Sequence, residues 1–474
     1  MRVRAWPVWV APVLLTLAVT LTGLGRAQLW RDELATWSAA TRPVGDLVRL
    51  AGTIDAASGP YYLLVHGWVE LAGDSTTALR LPSALAMTGA AGLTAVLGAR
   101  LAGFRAGLLA GLLFAVLPGT SRYGQEARPY ALATLLAVAA TLLLVAASRR
   151  PGAARWVAYA LVVAALGLVH LVALTLLAAH AVWVLADRPG GAAERARRLG
   201  RWALAVLPAA LVVAPLVVLA RGQRGRQLDW VDAARPGDLA ALAGGVTQSG
   251  VVGGLLVGLA ALGAARLGRR ALLPGGAVLL PMVMLFVAGS LVPLWVPRYL
   301  VFVVPFGCVL AGVALTVAPL PPAVAVVVLA GLLGLPDQAA LRRTHEWPRG
   351  ATVDYRGAAR IVADERRPGD AIVYEPRDSW LFLDLGLAYH LGDRLPRDVL
   401  ASEDPVRRGD LWAAECARPA ACLAGVDRVW LVVAGRRADP VAAVPGAKGD
   451  ALRTFRVQRV RQPHGLTVAL LSRR

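Results

Sequence analysis

The chain has 474 residues, of which 57% are apolar and only 17% charged, where a soluble protein of this size carries about a quarter charged residues. The apolar residues fall in long unbroken blocks before about residue 336, which excludes a soluble enzyme, a disordered chain, a disulfide-held mini-protein and an outer-membrane barrel built on alternation. The formal net charge is +20 and all basic residues but Lys448 are arginine; this reads as codon bias and as loop charge on the cytoplasmic side, and without a basic patch interleaved with aromatics no nucleic-acid partner is expected.

The start, Met1-Arg2-Val3-Arg4, is basic and leads into an apolar run from about Trp6 to Leu24. A cleaved signal peptide is the competing reading, but the run is long for one and many more follow. An uncleaved first helix with its N-terminus in the cytoplasm is expected. Residues 26–78 then break the pattern. They carry Trp30, Asp32, Glu33, Arg42, Asp46, Asp55, Tyr61, Tyr62, His66, Trp68 and Glu70. Loops this long are usually functional or disordered, and the aromatics argue against disorder. Two apolar, helix-like patches within it, Val44–Ala51 and Tyr61–Leu71, would suit the membrane interface.

Apolar runs follow near 79–99, 106–119, 129–147, 154–169, 171–186, 202–220, 246–265, 271–291, 299–317 and 322–336. With the first, about eleven spans are expected, in a range of nine to thirteen because 154–186 is short for two crossings. Alternation from a cytoplasmic N-terminus places the loops 100–105, 148–155, 187–201 and 266–270 inside. The last three hold Arg149, Arg150 and Arg155; Arg188, Arg195, Arg197, Arg198 and Arg201; and Arg266, Arg269 and Arg270. That is the positive-inside pattern. The loops 26–78, 120–128, 221–245 and 292–298 and the tail fall outside. Their arginines run against the rule and call for a specific explanation.

Residues 337–474 have ordinary soluble composition and hold 18 of the 30 acidic residues. Tyr355–Arg366 and Trp380–Leu391 read as helices, Ala371–Glu375 and Arg428–Ala434 as strands. Arg453–Arg461 and Leu466–Ser472, on either side of Pro463-His464-Gly465, read as a terminal hairpin. The tail holds no phosphate-binding glycine loop and no nucleophile motif. Cys308 lies in an apolar run and reads as a buried hydrophobe. Cys416 and Cys422 could pair outside the cytoplasm or remain two free thiols.

Four places could carry chemistry. Asp32-Glu33, just after the first span, could supply a general base toward an acceptor hydroxyl or amine; the competing reading is a solvated loop pair or partners for Arg26 and Arg31. In Arg122-Tyr-Gly-Gln-Glu126-Ala-Arg128-Pro-Tyr130, Arg128 is suited to phosphate; the competing reading is snorkelling or pairing with Glu126. Pro293-Leu-Trp-Val-Pro-Arg298-Tyr299 again presents a cation with an aromatic, against a reading as interfacial anchor. In Gly59-Pro-Tyr61-Tyr62-Leu-Leu-Val-His66-Gly-Trp68, His66 falls four residues after Tyr62 and is more often structural than catalytic. His170 and His180 read as helix-contact residues. Together the outer loops describe a membrane-surface site with acid–base chemistry beside phosphate recognition.

At these residues the chain resembles a known family. Trp30-Arg-Asp-Glu, Pro60-Tyr-Tyr-Leu-Leu, Ala78-Leu-Arg-Leu-Pro-Ser83, Gln125-Glu-Ala-Arg-Pro-Tyr130 and Pro297-Arg-Tyr-Leu300 occur in the order of the bacterial protein-mannosyltransferase-like branch of the GT-C glycosyltransferases, the group related to the lipid A aminoarabinose transferases. The likeness covers roughly residues 25–310, and the tail matches only as an extracytoplasmic domain. It implies an all-α polytopic membrane domain, 1–336, followed by an extracytoplasmic α/β domain, 337–474. It implies an inverting transfer of a mannose- or arabinose-like sugar from a polyprenyl-phosphate donor to a lipid, protein or glycan acceptor outside the cytoplasmic membrane. Asp32 would be the base, with Glu33 beside it. Arg128 and Arg298 would hold the donor phosphate, and Tyr62, His66, Arg80, Glu126 and Tyr299 would stand behind them. Gly59-Pro60 stands where the family usually has Pro-Pro, and with Lys448 as the single lysine any family role of Lys falls to Arg. The scheme needs no cofactor, although Asp32 and Glu33 could hold a divalent cation. A transporter or flippase for a lipid-linked sugar is the rival class. It would be expected to carry ionisable groups within its spans, and these are nearly absent here.

Overall fold

The computed structural model describes residues 7–150, 152–186, 191–345 and 352–474. Met1-Arg2-Val3-Arg4, Trp6 and Arg188 lie outside the described residues. Two compact units emerge. The first comprises Met1–Leu24, Asp55–Tyr61 and Thr77–Arg343; the second comprises Gly25–Ile54, Tyr62–Thr76 and Thr344–Arg474. The second unit thus unites most of the first outer loop with the tail.

The first unit is helical, and its helices follow the apolar runs. Among the described residues six stretches are long and apolar enough to cross a membrane: Thr76–Ala102, Tyr130–Arg149, Ala192–Gln227, Gly250–Leu291, Pro297–Leu315 and Leu320–Leu341. The bent pair Phe104–Val116 and Pro118–Gly124 makes a seventh if counted as one span. Val10–Leu21, Ala153–Val169 and Leu171–Ala186 are shorter apolar helices. The chain is therefore a multi-pass membrane protein. Gly250–Leu291 is broken at Gly268, whose φ is +55°, by a 3-10 turn over Gly268–Ala271. At about 1.5 Å per residue each half is long enough to cross a bilayer core of about 30 Å once modest thinning is allowed. Counted in halves, and with the bent pair and the three shorter helices, the total returns to about the eleven apolar segments of the sequence.

Lipid offers no hydrophobic drive for helices to associate, so close contact depends on small residues. The helices Gly250–Leu267 and Val304–Leu315 meet at Gly263, where a Cβ would stand 1.8 Å from the Leu310 carbonyl oxygen. Buried threonines return their hydroxyls to the preceding turn, as Thr16 does to Pro12 O and Thr134 to Tyr130 O, both at 2.8 Å. A buried chain of hydrogen bonds joins four helices. Trp202 Nε1 donates to Tyr159 Oη at 2.9 Å, Tyr159 Oη meets His180 Nδ1 at 2.9 Å, and His180 Nε2 meets Thr141 Oγ1 at 3.0 Å. His180 is thus a helix-contact residue with both nitrogens engaged.

The tail of the second unit is built on a mixed sheet. Its strands are β1 (Ala371–Glu375), β2 (Arg397–Asp398), β5 (Arg428–Ala434), β6 (Phe455–Arg461) and β7 (Leu466–Arg473), in the order β2-β1-β5-β7-β6. A separate antiparallel pair, β3 (Ala401–Glu403) and β4 (Ala414–Glu415), lies outside it. β1 runs parallel to β2 and β5, and β7 runs antiparallel to β5 and β6. Central β5, with Val429–Val433 wholly buried, reads as a continuous apolar run because both its faces are covered. The helix Tyr355–Glu365 starts on Asp354, whose carboxylate accepts from the Gly357 N–H at 2.8 Å. It packs against the helix Leu383–Leu391, where Gly386 leaves room for the Tyr355 ring. That second helix begins three residues later than the sequence suggests, since Phe382 has φ +49° and stacks on Trp412 at 5.4 Å. Cys416 and Cys422 form a disulfide, and Cys308 is free and buried.

Helices Arg31–Ala40, Val44–Thr53 and the part of Gly59–Ala72 from Tyr62 onward belong to this same unit. They are tied to the tail by specific contacts. Gln28 donates to Val353 O and accepts from the Arg356 N–H at 3.0 Å. Trp37 meets Tyr389 edge to face at 5.2 Å and donates to Asp74 at 2.9 Å. Arg42, 2% exposed, reaches Pro405 O at 3.3 Å and Ser38 Oγ at 3.1 Å.

Candidate functional site

The acidic pair sits in the first turn of the helix Arg31–Ala40. Its two members have different surroundings. Glu33 is fully buried, and its carboxylate reaches back to the Trp30 N–H at 3.4 Å, closing the helix start as a capping box does. Its Oε2 lies 3.8 Å from His345 Nδ1. Asp32 is only half-buried, so it remains approachable from outside the helix. Both carboxylates stand in the first turn, at the positive end of the helix dipole. Of the two, Glu33 is held at the helix start and Asp32 is the more exposed. His66 uses Nδ1 to meet Ala40 O at 2.9 Å, which ties down the end of the same helix. Tyr62 is 1% exposed within the second unit.

In the first unit, Arg128 and Tyr130 lie at the start of Tyr130–Arg149, with Pro129 at the N-cap. Arg298 donates through Nε to Tyr130 Oη at 3.1 Å and stacks over Trp230 at 5.3 Å. Tyr299 lies 5.7 Å from the His170 ring, and Tyr130 lies 5.8 Å from it. Glu126 is fully buried and pairs with Arg122 at 2.9 Å. Arg80 is fully buried and donates to Leu24 O at 2.9 Å. Glu126 and Arg80 thus hold the scaffold, while Arg128, Tyr130 and Tyr299 open onto a cavity of about 360 Å³.

That cavity has a cationic rim and an apolar wall. Arg128, Arg221 and Arg224 line it, with His170, Ser58, Gln227 and the two tyrosines. Val169, Leu171, Val172, Val217, Ala220 and Leu294 make up most of the rest. Ser58 is brought there by a short turn pinned to the end of Ala192–Gln227. The Ala56 N–H donates to Gln223 Oε1 at 2.8 Å, and Gln227 Nε2 donates to Asp55. Asp55 also accepts from Ser58 Oγ at 2.8 Å. A guanidinium cluster beside an apolar wall matches a molecule with an anionic head and a hydrocarbon tail.

Arg128 and Tyr299 come together at this cavity, and Arg298 is joined to it through Tyr130. Sequence reasoning missed Arg221, Arg224 and His170. The signal for the arginines was their position in an outer loop against the charge rule. His170 reads as a helix contact in sequence, but it breaks the helix after Val169 with φ −156° and lines the cavity. Among the described residues no cluster of three or more His, Cys, Asp or Glu is placed to hold a metal ion.

The fold of the chain is shared with solved structures of ArnT. ArnT from Cupriavidus metallidurans superposes on the chain in its apo state with a TM-score of 0.64, and in its complex with undecaprenyl phosphate with 0.65. Each comparison covers 97% of both chains at 15% identity, so the likeness is one of fold and extends through the tail domain. No protein-family model and no curated relative matches the chain.

Proposed function

We propose that the chain is an inverting glycosyltransferase that moves a mannose- or arabinose-like sugar from polyprenyl phosphate to an acceptor on the outer face of the cytoplasmic membrane. The observation that carries the reading is the cavity, where three guanidiniums meet an apolar wall within one GT-C fold. The ArnT structure holding undecaprenyl phosphate lends it support. The N-terminus would be cytoplasmic and the tail domain outside, as the Arg-rich loops suggest. The Cys416–Cys422 disulfide agrees with an oxidising compartment.

In this scheme the acceptor oxygen or nitrogen attacks the anomeric carbon from the face opposite the phosphate. The new bond forms as the bond from carbon to phosphate oxygen breaks, and polyprenyl phosphate leaves. Asp32 takes the acceptor proton. Arg128 and Arg298 balance the charge that builds on the leaving phosphate. Tyr130 holds Arg298 in place, and the prenyl chain follows the apolar wall.

The test uses the full chain in lipid with radiolabelled polyprenyl-phosphate mannose and a mixture of membrane acceptors. Wild type is expected to release polyprenyl phosphate, and Asp32→Asn to lower that rate by about 10²–10⁴-fold with donor binding retained. Equal turnover in both would remove Asp32 from the role of base. Failure of either protein to bind the donor would remove the transferase reading.

A further inference from the structure

The charge of the cavity is one-sided. Arg221 and Arg224 stand one turn apart near the end of Ala192–Gln227, both exposed and both lining the cavity with Arg128. Among the described residues neither uses its side chain in a hydrogen bond or ion pair. No Asp or Glu lines the cavity. Asp55, which precedes the lining residues Ala57 and Ser58, is 5% exposed and engaged by Ser58 and Gln227. Gln223 and Gln227, which alternate with the arginines, fix this helix end against the turn at Asp55–Ser58. The two guanidiniums are therefore presented from an anchored surface.

A phosphodiester donor carries one negative charge, which Arg128 alone can balance. Arg221 and Arg224 exceed what that phosphate needs, and their field falls on whatever the phosphate bears. We infer that Arg221 and Arg224 are specificity-determining residues that admit a donor whose sugar is uncharged or acidic and reject one carrying an ammonium group. This rests on the reading of the cavity as the donor site. An ammonium about 8 Å from each guanidinium, in a medium between water and protein surface, weakens binding by roughly tenfold. Exclusion by repulsion of this kind discriminates without any contact specific to the favoured sugar.

The experiment measures dissociation constants for the full chain in lipid nanodiscs with four probes: polyprenyl phosphate, polyprenyl-phosphate mannose, its amino-deoxy analogue and the N-acetylated form of that analogue. The mannose donor and the N-acetyl form, both phosphodiesters with an uncharged sugar, are expected to bind alike, and the free amine roughly tenfold more weakly. The gap is expected to close in the double variant Arg221→Gln/Arg224→Gln and to close likewise in Arg224→Glu, where the new carboxylate offsets Arg221. These positions are exposed, so the variants are expected to fold. Binding of the amine as tight as that of the N-acetyl form would overturn the inference. Absence of binding by all four probes, plain polyprenyl phosphate included, would instead overturn the donor-site reading beneath it.

Discussion

The two units differ in how their buried charges are grouped. In the membrane unit Arg122 pairs with Glu126 at 2.9 Å, and the fully buried Arg80 donates to Leu24 O. In the second unit Arg377, 5% exposed, reaches three carboxylates: Asp398 at 2.8 Å, Glu415 at 2.9 Å and Asp384 at 3.8 Å. Lys448 extends this network to Glu415 at 2.7 Å and Glu375 at 2.8 Å. Few carboxylates are available among the membrane helices, where each would be costly to desolvate, so carbonyls and hydroxyls share the load with the Arg122–Glu126 pair. The tail is rich in acidic residues and stores its polar order as ion pairs. Charge changes should therefore act strongly on the second unit, and packing changes on the first.

The largest expected effect is in the ion network. Arg377→Ala leaves the carboxylates facing one another in a buried place and should cost about 3–5 kcal/mol, read as loss of the second unit's thermal transition in the full protein. Arg80→Ala leaves the Leu24 carbonyl without this partner and should cost about 1–3 kcal/mol. Equal losses from the two would break the contrast.

Next comes the disulfide. Cys416→Ser with Cys422→Ser opens a short loop and should lower stability by about 2 kcal/mol. The same loss should follow dithiothreitol treatment of the wild type, with the first unit's helices unchanged by circular dichroism. Glu33→Gln should cost about 1 kcal/mol as the cap weakens, with a smaller loss of turnover than Asp32→Asn. A Glu33→Gln enzyme as slow as Asp32→Asn would merge the two roles.

The smallest effect sharpens the contrast through pH. Burial pushes the Asp384 carboxyl up to about 6, and Arg377 only partly offsets this. Burial likewise raises Asp398. Burial works against the Arg377 charge, but Asp398, Glu415 and Asp384 hold it above its ordinary value. The ordinary value for Asp384 is 3.8, so between there and about pH 6 the folded state binds more protons than the unfolded one. Stability from this group is full below that window and is lost as pH rises through it. Asp384→Asn should flatten the pH dependence of the thermal midpoint between pH 4 and 6. An unchanged slope would exclude Asp384 as its source.

Much of this was legible in the sequence. Ala371–Glu375 and Arg428–Ala434 are strands to the residue, because short apolar runs bounded by turns leave little else. The membrane segments followed their apolar runs. The cavity arginines were hidden because the apolar run near 202–220 ends before the helix does. The backbone stays helical to Gln227, which carries Arg221 and Arg224 round to the cavity face. The difference in burial between Asp32 and Glu33 was also out of reach. Neighbours in sequence point to different sides of a helix, and only tertiary packing decides which side is buried. That the outer loop folds with the tail rests on scattered contacts such as Gln28 with Val353 and Trp37 with Tyr389, none of which has a local signature.

The second unit is assembled from three pieces of chain, with a short turn between the first two and the membrane helices before the third. Its first two pieces leave the ribosome long before the third. During synthesis the helix bearing Asp32 must wait, already exported on the proposed topology, while the remaining spans are inserted. Its partners Val353, Arg356 and Tyr389 arrive last. A chain released early would thus have a membrane unit without the support for its acidic helix, and would be a natural substrate for quality control. The same order dictates how the tail could be exchanged between related proteins. A graft of residues 344–474 would need residues 25–54 and 62–76 to travel with it.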